Sequence, residues 1–162
     1  MDDLEYDLKT QLYNHYFPEL EELLLDYHNE KTKITVGNRI NLSKDGKRLK
    51  SLALGIRGPF FLSIRKDKTL NPHLTKHTQT EKGHEIYKLI YSIITMIFPD
   101  FQFNSIIVNF NSNFKIHKDE RNVNEDSVMF TVGQHENGGL EIYDDNKDYV
   151  ETKYIDKYPI RF

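Results

Sequence analysis

Residues 105–119 read SIIVNFNSNFKIHKD, and they decide the fold that the sequence predicts. The first six residues belong to an apolar run over 103–110 that is typical of a β-strand. A short polar loop follows, and the stretch ends in His117-x-Asp119. Residues two apart in extended backbone point to the same side. The imidazole of His117 and the carboxylate of Asp119 are therefore predicted to converge, as two neighbouring ligands of a metal ion must.

This pair of donors is typical of one kind of metal centre. A histidine and a carboxylate, with a second histidine from elsewhere, make the facial triad of non-haem Fe(II) oxygenases, which leaves positions open for co-substrate and O2. His135 lies in a loop between two predicted strands and is predicted to be solvated. His73 and His77 have helical ligand spacing, but Pro72 and the polar residues around them favour a loop without a metal.

The pattern of apolar residues predicts helices first and strands afterwards. Two helices in the first thirty residues are indicated by Leu4, Leu8 and Leu12, and then by Leu20, Leu23, Leu24 and Tyr27. Pro18 suits the first turn of the second helix. A third helix is predicted from about Thr80 to Ile97, before Pro99. Strands are predicted at 33–36, 48–56, 60–64, 103–110, 127–132, 140–143 and 158–162, with turns at Asp45-Gly46 and 144–147.

The composition excludes several classes of protein. The chain has 162 residues, about one domain, and its ten Phe and ten Tyr are too many for a disordered chain. It has no cysteine, which excludes disulfide scaffolds, thiol catalysis and zinc sites built on Cys. The N-terminus is acidic, unlike a signal peptide, and the longest apolar stretch, 87–98, is too short to span a membrane. We therefore expect an intracellular protein that does not enter a membrane.

Charge is distributed unevenly along the chain. Residues 1–30 hold nine acidic residues against one lysine, whereas residues 44–68 hold eight basic residues against two acidic ones. Both segments suit solvated faces of a protein. The basic segment also suits a surface that binds DNA or another anionic substrate.

Further motifs follow His117-x-Asp119 in a fixed order. A strand ends at Gly133, Gly138-Gly139-Leu140 opens the next, and Tyr158-Pro159-x-x-Phe162 comes last. With the Asn-x-Asn element at 109–111, this order resembles the 2-oxoglutarate and Fe(II)-dependent dioxygenase superfamily. The resemblance covers roughly residues 50–162. It is closest to the branch of the TET and J-base-binding oxygenases and their phage and giant-virus relatives, in which a Leu-x-Leu-Gly strand, here 52–55, precedes the metal motif.

The resemblance implies a fold and a set of site residues. The fold would be α+β in a single domain, 1–162: helical support with a β-hairpin over 1–100, packed on the metal-motif half, 101–162, of a double-stranded β-helix (jelly-roll, cupin-like) core. The cofactors implied are Fe(II) and the co-substrate 2-oxoglutarate. The implied roles are iron ligands for His117 and Asp119, co-substrate contacts for Asn109 and Asn111, and substrate contacts for Arg57 and Asn122.

The chain departs from the family pattern at its end. The family's second iron-ligating histidine, and the Arg or Lys that clamps 2-oxoglutarate, follow the Tyr-Pro-x-x-Phe element, whereas this sequence ends at Phe162. We therefore expect a core that is incomplete at the C-terminus, with an open sheet edge that a partner chain would cover.

Several functions remain open on this sequence. The expected reaction is hydroxylation of a C–H bond, such as the 5-methyl group of a nucleobase in DNA or a protein side chain. The alternatives are a truncated, non-catalytic oxygenase-like protein with a binding role, and an unrelated α+β protein in which His117-x-Asp119 is a coincidence.

Overall fold

The secondary structure is α+β, as the sequence predicts. The computed structural model describes residues 2–30, 44, 50–56, 74–110, 126–134, 138–155 and 157–162. The helices are α1 (Asp3–Gln11), α2 (Phe17–Glu30) and α3 (Glu81–Ile97), with a π turn at Leu12–Tyr16. The strands are β1 (Lys50–Gly55), β2 (Ser105–Phe110), β3 (Val128–Met129), β4 (Gly139–Tyr143), β5 (Tyr149–Tyr154) and β6 (Ile160–Arg161).

The π turn joins α1 and α2 into one continuous helical run. The N–H of Phe17 donates to the carbonyl of Leu12, five residues back, so this turn holds one residue more than an α-helical turn. The extra residue brings Leu12 and Phe17 onto one face, where both are buried with Leu20, Leu24 and Tyr27. Pro18 lies in the first turn of α2, as predicted, but α2 is not a separate helix.

The predicted third helix is confirmed as α3. The hydroxyl of Thr80 accepts a hydrogen bond from the N–H of Gly83 at 3.0 Å and caps the helix, which ends at Ile97, two residues before Pro99. The turn before α3 packs tightly against the first residues of the helix, because a Cβ at Gly83 would lie 1.8 Å from the carbonyl oxygen of His77. One face of α3 is buried in the core and carries Ile86, Ile90, Ile93 and Ile94.

β1 and β2 form an antiparallel pair with one buried face. Leu52 lies opposite Val108, and Leu54 lies opposite Ile106. These four side chains belong to the core formed with α2 and α3. Full burial of each leucine contributes about 1.5–3 kcal/mol relative to exposure. The opposite face exposes Ala53, Ile107 and Asn109.

The remaining strands form two small antiparallel pairs. β3 pairs with β6, and backbone hydrogen bonds of 2.7 and 2.9 Å between Ser127 and Phe162 extend that pair. β4 and β5 form a hairpin whose turn is held by the carboxylate of Asp144, which accepts from the N–H groups of Asn146 and Asp148. Across the described ranges the strands thus make three two-stranded sheets and do not form a closed barrel.

Other predicted elements have mixed outcomes. The strand predicted at 127–132 is limited to β3, and β5 was not predicted at all. The strand predicted at 48–56 is β1, and its described partner is β2. The predicted strands at 33–36 and 60–64 and the Asp45-Gly46 turn lie outside the described residues.

Candidate functional site

Most of the predicted site residues belong to segments that the structure does not describe. Outside the described residues are Arg57, Asn111, His117, Asp119 and Asn122. Asn109 lies in β2, opposite Ser51, on the exposed face of the β1–β2 sheet. We call residues 111–125, which carry four of the six predicted residues, the motif segment. The structure describes the residues on either side of this segment, Phe110 and Asp126.

The strand β2 ends directly before the motif segment. Phe110 is the last residue of that strand and lies opposite Lys50. The ring of Phe110 lies 4.9 Å from the ring of His28 in α2, so this side of the strand end packs against a helix. The neighbouring Asn109 is exposed on the other side. At the end of β2, just before the motif segment, Phe110 therefore faces α2 and Asn109 faces the exposed side of the sheet.

Arg161 holds Asp126, the first described residue after the motif segment. Its Nε donates to Oδ2 of Asp126 at 2.8 Å, and its Nη1 donates to Oδ2 of Asp100 at 2.8 Å. The guanidinium carbon lies 5.2 Å from the centre of the Phe101 ring, within the range of a cation–π contact. These contacts tie Asp126 to β6 and to the turn that follows α3. We call Arg161 with its two carboxylates the arginine clamp.

The arginine clamp also sets the charge of this region. Hydrogen bonding from the Arg161 guanidinium lowers the pKa of Asp100 below its ordinary value. The hydrogen bonds to Asp100 and then to Asp126 raise the pKa of Arg161. The positive charge of Arg161 is therefore balanced by the carboxylates of Asp100 and Asp126.

A polar network holds the end of β1, just before Arg57. The N–H of Gly55 donates to the hydroxyl of Thr78 at 2.7 Å, and its carbonyl accepts from the N–H of Thr75 at 2.9 Å. Gly55 has a φ of 96°, and a Cβ there would lie 2.0 Å from the carbonyl oxygen of Asn104. Only glycine suits this position, because a side chain would be both strained and blocked.

His77 has a structural role in the same region. Its Nδ1 lies 2.6 Å from the hydroxyl of the buried Tyr27, and the two rings meet edge to face at 5.7 Å. His77 lies in a turn, which confirms the prediction of a loop at this position. His73, which precedes it by four positions, lies outside the described residues, as does His135.

The donor chemistry of the motif segment fits iron. Imidazole and carboxylate are the ligand types of the facial Fe(II) site, and His117 and Asp119 supply one of each. Within the described ranges of the chain, no three His, Asp or Glu side chains are grouped closely enough to hold a metal ion. His117 and Asp119 thus stay predicted ligands, and both lie outside the described residues.

The β4–β5 hairpin presents an exposed surface of tyrosines. Tyr149 and Tyr154 are 59% and 80% exposed, and Val150 is exposed beside them. The hydroxyl of Tyr143 donates to Glu141 at 2.8 Å, and this hydrogen bond raises the pKa of Tyr143. Large apolar patches on a protein surface can mark interaction sites, so these exposed side chains make the hairpin a candidate contact surface.

The arginine clamp is the feature that sequence reasoning missed. Arg161 appears in the sequence only as part of the Tyr-Pro-x-x-Phe element, and its partners lie 35 and 61 residues away. No local pattern predicts a contact between residues so distant in sequence. The hydrogen bonds of Thr75 and Thr78 to Gly55 are partly predictable from the sequence. Thr80 and Pro99 mark the bounds of α3, and Thr75 and Thr78 lie in the turn just before it.

Comparison with known proteins gives no relative for this chain. No protein-family model, no curated protein and no solved structure matches it. Among the described residues, no helix has the length and apolar character needed to cross a membrane.

Proposed function

We propose that this chain is an oxygenase-type domain that binds Fe(II) and 2-oxoglutarate and hydroxylates a C–H bond. One observation carries the proposal: β2 ends at Phe110, seven positions before His117 in the sequence, and the last residues of this strand separate a packed side from an exposed side. The strand β4, which begins at Gly139, supports it further, because the Gly-Gly-Leu element opens a strand there.

The proposed role of each site residue follows from the chemistry of its side chain. When bound, Fe(II) with 2-oxoglutarate supplies the activation of O2 that hydroxylation requires. His117 and Asp119 would hold the metal on one side and leave the other side open. Asn109, on the exposed face of β2, would orient the co-substrate by hydrogen bonds from its amide, together with Asn111.

The proposed fold is a double-stranded β-helix that extends the observed pairs. The antiparallel pairs β1–β2, β3–β6 and β4–β5 would be parts of such a core. Support comes from the buried face of the β1–β2 sheet, which packs on α3, while its other face stays exposed. A jelly-roll core needs that second face for its interior.

The proposed substrate is a nucleobase in DNA, and a protein side chain is the alternative substrate. The basic segment 44–68 supports an anionic substrate by its charge. Arg57 lies in that segment and would contact the phosphate backbone, whereas Asn122 would contact the base. Such an enzyme must extrude the base from the duplex before it can act on it.

Metal binding tests the proposal directly. Purified chain is titrated with Fe(II) under anaerobic conditions, with and without 2-oxoglutarate, and compared with His117→Ala and Asp119→Ala. We expect one site per chain, weakened at least tenfold by either substitution, because each removes a ligand. His15→Ala is the matched control, since His15 is exposed on the π turn, and it should bind as the unchanged chain does. Binding that survives both ligand substitutions would contradict the assignment.

A non-catalytic binding role is the second candidate function. The exposed Tyr149, Val150 and Tyr154 on the β4–β5 hairpin favour it, because a partner chain could cover that surface. The same titration separates the two functions. A chain that does not bind Fe(II) but forms a complex lost on Tyr154→Ser would support the binding role. Fe(II) binding abolished by His117→Ala would support the oxygenase.

A further inference from the structure

We infer that β5 is an interaction surface for a second copy of this chain, and that the two β5 strands pair antiparallel about Thr152. This pairing joins two β4–β5 hairpins into one four-stranded sheet with a twofold axis at its centre. It involves only residues 138–155, so it is independent of the proposed metal site.

One edge of β5 has no strand partner in the described part of the chain. There β5 pairs with β4 alone, so the backbone groups along its other edge are unpaired. The strand also carries large exposed side chains, since Tyr149, Val150 and Tyr154 are each more than half exposed. An unpaired strand edge is a template on which a strand of another chain can pair.

The hydrogen bonds of the hairpin determine which residues of β5 face its free edge. The N–H of Ile155 donates to the carbonyl of Gly138 on the β4 side. Backbone groups alternate in direction along an antiparallel strand, so Lys153 is the next residue whose groups point toward β4. The N–H and C=O groups of Thr152 and Tyr154 therefore point toward the free edge, where a second strand can bind them.

Charge selects one register for two β5 strands. Pairing centred on Thr152 places Glu151 of each copy opposite Lys153 of the other, and it places the two Thr152 side chains opposite each other. Opposite charges and Thr–Thr pairs both stabilise antiparallel strands. Moving the centre by one position in either direction sets Glu151 against Glu151 or Lys153 against Lys153, and like charges directly opposite are destabilising.

The charged side chains are available for this pairing. Neither Glu151 nor Lys153 has an ion-pair partner among the described residues. In the register centred on Thr152 they occupy the pairs that are not hydrogen-bonded, where opposite side chains lie closest. Two copies thus gain two ion pairs without breaking any ion pair of the described chain.

The tyrosines of the hairpin favour the same register. A Cβ at Gly139 would lie 3.1 Å from Cγ2 of Thr152 and 3.8 Å from Cδ1 of Tyr154, so these two side chains share one face of the hairpin. The hydroxyl of Tyr149 lies 2.8 Å from that of Thr152 on this face. Pairing about Thr152 places Tyr154 of each copy diagonal to Thr152 of the other, within reach of an aromatic ring. The most exposed tyrosine of the hairpin is thereby partly covered.

The outer edge of β4 lacks this complementarity. Glu141 is the one charged residue of β4, so no register of two β4 strands brings opposite charges together. Pairing centred on Glu141 sets two carboxylates against each other. The β5 edge is therefore the self-complementary edge of the hairpin.

Exchanging the charges of the two positions tests the pairing. Sedimentation of the full-length chain gives its molar mass from about 1 µM to about 1 mM, the range in which a small interface dissociates. We expect the unchanged chain to dimerise, and Glu151→Lys or Lys153→Glu to raise the dissociation constant about tenfold or more. An equimolar mixture of these two variants should regain the dimer, because each supplies the charges that the other lacks. Asp145→Lys, a matched charge change in the hairpin turn, should dimerise as the unchanged chain does.

A double variant keeps the test independent of any single substitution. Glu151→Lys with Lys153→Glu exchanges the two charges, and it should dimerise like the unchanged chain. Circular dichroism shows whether each variant keeps its secondary structure. An unchanged chain that stays monomeric at every concentration would overturn the inference. So would a loss of the dimer that neither the mixture nor the double variant restores.

Amide hydrogen exchange of the unchanged chain locates the interface. Raising the concentration over the same range should slow exchange at Thr152 and Tyr154 about fivefold or more, because their N–H groups become paired. Glu141 is the internal control, since its backbone groups lie on the outer edge of β4 and should exchange at the same rate throughout. Protection at Glu141 without protection at Thr152 would contradict the pairing of β5. None of these outcomes affects the proposed Fe(II) site, which the metal titration tests separately.

Discussion

At the scale of the residue, single positions hold segments that are distant in sequence. Gly55 holds the end of β1 against Asn104, and Arg161 holds Asp126 against the turn after α3. Neither contact has a local sequence pattern, because each joins residues 35 or more positions apart. His117 and Asp119, in contrast, are predicted as ligands from their spacing in extended backbone and from the family resemblance, and both stay predictions because they lie outside the described residues.

Gly55→Ala should destabilise the fold strongly. Its φ of 96° disfavours any side chain, and the new Cβ would meet the Asn104 carbonyl at 2.0 Å. We expect a loss of about 3 kcal/mol in the free energy of unfolding, measured by urea denaturation. Gly139→Ala is the control, because it has an ordinary φ and its nearest atom, Cγ2 of Thr152, lies 3.1 Å away. Equal losses for the two variants would contradict the role of Gly55.

The ion pair of Asp100 should make stability depend on pH in a defined direction. Its pKa in the folded chain is lowered by the hydrogen bond from Arg161, so the contribution is present above the ordinary value of 3.8 and is lost as the pH falls through the folded value. The unchanged chain should therefore exceed Asp100→Asn in stability at about pH 7, and this advantage should shrink as the pH falls below 3.8. Urea denaturation at each pH gives the difference. An advantage that grows in acid would contradict the assignment.

At the scale of the element, the sequence predicts helices better than it predicts strands. The bounds of α3 follow from the cap at Thr80, the apolar spacing and Pro99, which are all local signals. β5 was missed because Tyr149–Tyr154 contains three charged or polar residues between its ends and lies mostly exposed. The pairing of β1 with β2 could not be predicted either, because some fifty residues separate the two strands.

In the first thirty residues, the spacing of the leucines predicts the helices but does not predict which leucines are buried. The repeat of Leu4 and Leu12 predicts similar positions for both, but Leu4 is 81% exposed and Leu12 is fully buried. Leu12→Ala should lower the free energy of unfolding by about 2–5 kcal/mol, because it leaves a cavity in the core. Leu4→Ala should change it by less than about 0.5 kcal/mol. Thermal or urea denaturation of the pair checks the expectation, which would be wrong if the two losses were alike.

At the scale of the whole molecule, the described residues divide into a helical core and a small hairpin. The helices and the β1–β2 sheet share one hydrophobic core, whereas β4 and β5 pack mainly against each other. A two-stranded hairpin on its own is at best marginally stable in water. The hairpin should therefore open more readily than the core.

Hydrogen exchange should reveal this division. Amides in α3 and the β1–β2 sheet should exchange only through global unfolding, whereas amides in β4 and β5 should exchange at least tenfold faster by local opening. The measurement is exchange of the isolated chain followed by mass spectrometry of peptides from both regions. Equal protection would mean that the hairpin is covered in solution, and a partner copy would then be sought by measuring the molar mass.

Because of the π turn, the helical run can lose one residue without moving Leu12 and Phe17 to different faces. Deleting Asn14 from it would leave Leu12 and Phe17 four residues apart, which is again one face of an ordinary α-helix. The buried side chains on both sides of the deletion would stay in the core. Most single deletions in a helix instead turn the residues that follow by about 100° and move their apolar face away from the core. Pro18 would then meet an α-helical carbonyl four residues back, at a cost of about 3 kcal/mol. A chain shorter by one residue should therefore be tolerated only together with Pro18→Ala, and denaturation of the single and double variants would show whether the extra residue and the proline depend on each other.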